Sequence, residues 1–133
     1  MPLAPLIILE VSAVLIALGG LYDLFIPRLP LNLALICGDN RRASQLVREL
    51  LRSLGGALIA VALAVFMLVA TSGPSVSILT LILVLALVIC AEGVNAFCMY
   101  RVGSPYFVPV GIILLTLVGA YLAWRAPAPV PIP

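Results

Sequence analysis

The chain has 133 residues, of which 65% are hydrophobic and only 9% charged. A soluble domain is about half apolar with about a quarter of its residues charged, so this chain lacks the polar surface a water-soluble fold needs. The formal charge of +2 is too small to suggest nucleic acid, and the absence of His removes the commonest metal ligand and general base.

The first apolar segment covers about residues 3–26. It has no Arg or Lys ahead of Glu10 and no convincing small-residue cleavage site, so it reads as a retained span rather than a signal peptide. Pro27 and Pro30 stop it, because proline cannot continue a helix comfortably. LNLALICG at 31–38 is too short to cross about 30 Å of hydrocarbon. It is expected at the interface or as a short re-entrant turn. RRASQLVRELLRS at 41–53 is an amphipathic preface, with Leu46 and Leu50 on one face and Arg48, Glu49 and Arg52 around it.

The preface leads into a second span at 52–70, closed by TSGPS at 71–75. A third span covers 76–100, RVGSP at 101–105 is the next turn, and a fourth span covers 106–124. Helices and closed barrels are the structures that satisfy their own backbone in lipid, and these spans lack strict alternation. The fold class is therefore all-α: an integral membrane four-helix antiparallel bundle over 1–125. It is followed by a Pro-rich tail at 126–133, expected to be extended.

Arginine placement orients the bundle. Arg28, Arg41, Arg42, Arg48, Arg52 and Arg101 fall on one side and Arg125 on the other. The positive-inside rule places the 27–53 region in the cytoplasm. Both termini are then outside, in the periplasm if the membrane is a bacterial inner membrane. Tyr100, Tyr106 and Trp124 sit at span ends, where interfacial aromatics belong.

Acids inside spans point to polar contacts, since a charge at the bilayer centre costs about 2.5–3.5 kcal/mol on insertion scales. Glu92 and Asn95 are three apart and share a helix face. By helix rise Glu92 lies about 12 Å inside the arginine-rich end, whereas Glu10 lies in the opposite leaflet. The expected buried polar cluster is Asp23, Arg48 or Arg52, Glu92 and Asn95, with Arg101 at its mouth. Its first reading is a helix-registering ion pair; its second is a ligand site using Glu92, Asn95 and Tyr106. Gly19, Gly20, Gly55, Gly56, Gly111 and Gly119 are expected at close helix contacts. Cys90 and Cys98 read as packing groups, and none of the three cysteines forms a C-x-x-C pair.

Several stretches together resemble the DoxX-like superfamily of small four-helix membrane proteins. The first span ends LGGLYDLFIPRLP, with Gly20, Leu21, Leu24 and Pro27 in the shared pattern. The second opens with Arg52 followed by Gly55 and Gly56, the third ends EGVNAFCMYRVGSP, and the fourth reads VPVGIILLTLVGAYLAW. The resemblance implies the bundle and an Arg–acid contact within it, and carries over no catalytic residue. Some members are subunits or accessories of membrane oxidoreductase systems.

The functional expectation is a non-catalytic structural or accessory subunit of a larger bacterial membrane complex, respiratory or photosynthetic. Other membrane subunits and lipid are its partners, and Pro127, Pro129, Pro131 and Pro133 are partner contacts. No cofactor or metal is expected, though the bundle leaves room for a bound lipid or pigment. The alternatives are a membrane protein that binds a lipid, quinone or pigment, and a small membrane enzyme or transporter using Glu92.

Overall fold

The computed structural model describes residues 3–72 and 76–126. It contains five helices among these residues: α1 (Leu3–Leu24), α2 (Leu31–Cys37), α3 (Arg41–Thr71), α4 (Ile78–Arg101) and α5 (Phe107–Arg125). Four of them, all but α2, are long and apolar enough to cross a membrane. The protein is an all-α, four-span integral membrane bundle.

Local chemistry sets the helix boundaries. Asn40 caps α3 by accepting the Ala43 N–H at 3.1 Å, and Ser77 caps α4 by accepting the Thr80 N–H at 3.1 Å. Pro5 and Pro109 both lie in the first turn of their helices, where a missing N–H costs no intrahelical bond. α2 ends at Gly38, whose φ of 53° with ψ of −139° is open only to glycine. The second glycine with positive φ, Gly103 (70°), turns the chain between α4 and α5. Its carbonyl accepts the Asn32 side-chain amide at 2.7 Å, which ties α2 to that turn.

The amphipathic preface and the second span form one unbroken helix. At 31 residues α3 is about 46 Å long, well beyond the hydrocarbon thickness, so its Arg-rich first turns project past the span. The first span ends two residues earlier than expected, at Leu24.

The four long helices form a ring in the order α1, α3, α4, α5. α1 and α4 each pack on α3 and α5 and face one another diagonally. The α1/α3 seam is the most extensive and α3/α4 the sparsest. The core is a column of aliphatic residues including Leu9, Ile16, Leu58, Val65, Val84, Val88 and Ile112. Large apolar side chains also cover the exterior, for example Leu63, Leu79, Leu114 and Trp124, each more than half exposed. A surface of this kind suits lipid and would be a liability in water.

Backbone contact is closest where α1 crosses α3. A Cβ added to Gly20 would lie 2.7 Å from the Gly55 carbonyl oxygen. One added to Gly55 would lie 2.5 Å from the Gly20 oxygen and 2.6 Å from the Leu24 nitrogen. Gly119 lets α5 close on α1, with Ile8 and Leu9 side chains within about 3 Å of its missing Cβ. The other three expected packing glycines behave differently. Gly19, Gly56 and Gly111 have no such neighbour within 4 Å and face outward. Cys90 and Cys98 are also exposed rather than packed inside.

Candidate functional site

On α4, the residues Leu81, Val84, Val88, Glu92 and Asn95 form a single buried stripe at helical spacing. The last two exchange aliphatic for polar chemistry without leaving that face. Glu92 is 2% exposed and Asn95 8%, and the Asn95 amide Nδ2 donates to Glu92 Oε2 at 3.3 Å. Asp23 on the diagonal helix α1 is also buried and lies within electrostatic reach of Glu92. The α1/α3 crossing holds it in place, since the Cβ of Asp23 is 3.1 Å from where a Gly55 Cβ would be. Two acids and an amide from opposite helices therefore share the interior of one end of the bundle.

The other buried hydroxyls in the core are satisfied locally. Ser12 donates to the Ile8 carbonyl at 3.0 Å and Thr116 to the Ile112 carbonyl at 2.8 Å. Glu92 and Asn95 instead bond side chain to side chain, which fixes two rotamers against each other.

The expected arginine partner is not at this site. Among the described residues the one ion pair joins Arg52 to Glu49, at 2.9 Å, within α3. The pair is three residues apart on one helix and half exposed, so local spacing takes Arg52 before the helix neighbour can. Arg48 lines a cleft formed with the α1–α2 connection, and among the described residues it makes no ion pair. Arg101 is exposed, with its guanidinium carbon 6.0 Å from the Phe97 ring centroid. Tyr106 is exposed and stacks edge-on against Tyr100 at 5.5 Å, at the turn rather than beside Glu92. By helix rise that turn is about 13 Å from Glu92. The cluster is thus acid–amide–acid, not acid–arginine. Among the described residues no three metal-ligating side chains come together. The tail residues Pro127, Pro129, Pro131 and Pro133 lie outside the described residues.

The outer face of α3 is lined by small residues. Ser53, Gly56, Ala57 and Ala60 are exposed and Ala64 half-buried. At 100° per residue these five fall within about a quarter of the helix circumference, giving a smooth outward strip about three turns long. The signal was present as Gly-x-x-x-Ala-x-x-x-Ala from Gly56, one position round from the buried stripe of Gly55, Leu58 and Ala62.

No family model, curated protein or solved structure was found to match this chain. Four long apolar helices are what defines the molecule: it is a small four-span membrane protein.

Proposed function

We propose that this chain is a non-catalytic structural or accessory subunit of a larger bacterial membrane complex. The observation that carries this reading is the outward strip of small residues on α3. In lipid, helix association depends on close packing and not on hydrophobic drive, so a strip of Gly, Ala and Ser suits another helix better than it suits lipid tails. The same chain uses glycine in this way internally, at Gly20 and Gly55. A respiratory or photosynthetic complex is the proposed host, and the DoxX-like resemblance supports it because some members of that superfamily are accessories of membrane oxidoreductases. The proposed orientation has the arginine-rich end in the cytoplasm.

The alternatives place a ligand or a proton at Glu92. Their difficulty is access: the side chain is 2% exposed and engaged with Asn95. In the structural reading, the Asn95–Glu92 hydrogen bond orders two buried side chains on one face of α4.

The test is purification of the chain from its native membrane in mild detergent, followed by native electrophoresis. Wild type should migrate with partner subunits. The double variant G56L/A60L should release them while keeping its helix content, and A86L, at an exposed site on α4, should not. Wild type migrating only as a monomer of 14.0 kDa chain mass would refute the proposal.

A further inference from the structure

A cleft of about 750 Å³ opens at the arginine-rich end, between the α1–α2 connection, α2 and the start of α3. Arg28, Arg41, Arg48, Ser44 and Gln45 line it, with Asp39 beside them. Arg41, Ser44, Gln45 and Arg48 have the spacing i, i+3, i+4, i+7, so one face of α3 presents all four. Three arginines against one aspartate leave the cleft positive, and the N-terminal turn of a 31-residue helix adds its dipole. The Nε atoms of Arg48, which lines the cleft, and of Arg52, which does not, are both buried without a hydrogen-bond partner among the described residues.

We propose that this cleft binds the phosphate headgroup of an anionic phospholipid. Arginine forks match phosphate oxygens in bidentate geometry, and Ser44 and Gln45 add neutral donors. The surroundings select a lipid over a free phosphate. Leu31, Leu35 and Ile36 of α2 are 74%, 72% and 66% exposed, and Leu46 and Leu50 of α3 are 61% and 60% exposed. Pro27 and Leu29 line the cleft itself. Apolar residues this exposed place the cleft at the lipid boundary, with room for acyl chains beside the headgroup. Its occupant is independent of whether the outer face of α3 binds another subunit.

The experiment is native mass spectrometry of the full chain in a neutral detergent, titrated with phosphatidylglycerol or phosphatidylcholine of the same acyl chains. Phosphatidylglycerol should be retained at least tenfold more strongly. R41Q/R48Q should weaken it by about 25-fold, at about fivefold per arginine near an anionic surface, and leave phosphatidylcholine unchanged. R41K/R48K, which keeps charge but loses the forks, should fall between wild type and the glutamine variant. R101Q, on the same end but outside the cleft, should behave as wild type. Equal retention of the two lipids would overturn the proposal, as would phosphatidylglycerol binding indifferent to R41Q/R48Q and R41K/R48K. Displacement of phosphatidylglycerol by millimolar inorganic phosphate would also overturn it, by assigning the cleft to a free anion.

Discussion

Gly55 and Gly56 are adjacent in sequence and opposite in role. Gly55 lies against α1 with backbone atoms of Gly20 and Leu24 where its Cβ would be; Gly56 has open space. Gly20 and Gly19 repeat the division on α1. The lesson is that a small residue in a membrane helix has two uses, on two faces. On the inner face it sets how closely this bundle can close. On the outer face it decides what the bundle can present to a neighbour. Rotation by 100° between consecutive residues separates these uses, and composition does not.

The largest break in that comparison comes from G55A. The added carbon meets backbone atoms, which cannot rotate away, so α1 and α3 must part. The expected loss is about 1–3 kcal/mol, the cost of overpacking a close-packed interior. It should appear as a lower thermal midpoint in detergent, and an unchanged midpoint would mean that the crossing is looser than its geometry indicates. Asp23 rests on the same crossing, so G55A should also disturb the polar trio.

E92L probes the trio directly and should come next in size. Leucine removes the acceptor for the Asn95 amide, leaving a buried donor unsatisfied at about 1–3 kcal/mol. E92Q keeps an acceptor oxygen of similar reach and should lose much less. The readout is again the midpoint, and E92Q matching E92L would show that hydrogen bonding to Asn95 contributes little. If the host complex stays fully active with E92Q, a proton-carrying role for Glu92 is removed as well.

G119A should have a smaller effect. Its new carbon meets Ile8 and Leu9 side chains near 3 Å, not backbone, and side chains can shift. Replacing glycine inside a helix also gains up to about 1 kcal/mol, so the net change should lie within about 1 kcal/mol of zero. A loss as large as that of G55A would mean that α5 is held against α1 as rigidly as α3 is.

These contrasts also mark what the sequence made legible. Hydropathy and turn residues located four spans, and three-residue spacing put Glu92 and Asn95 on one face, because both follow from local periodicity. The partner of Glu92 was not legible. Arg48 and Arg52 were placed near it by depth alone, but depth does not determine the direction in which a long side chain leaves its helix. Glu49 lies three residues before Arg52 and takes it by proximity. Arg48 turns toward a cleft made partly by the α1–α2 connection, whose path no periodicity encodes. For the glycine pairs, the sequence marked the place of close approach but not which member of each pair makes it. That depends on the rotation of each helix about its axis, fixed by the ring of four.

The smallest effect, G56A, separates the two faces most cleanly. The new methyl meets nothing within 4 Å in this chain, and alanine is the better helix former. In detergent, with the chain alone, the midpoint should hold or rise by the equivalent of about 0.5–1 kcal/mol. In the native membrane the same methyl sits on the strip proposed to meet another helix, so any loss of co-purification there would arise without a loss of fold. A variant harmless to the isolated chain and harmful to its assembly assigns the outer face to a partner. A variant that destabilises the isolated chain as G55A does would place Gly56 in an interior contact and remove the basis for an outward strip.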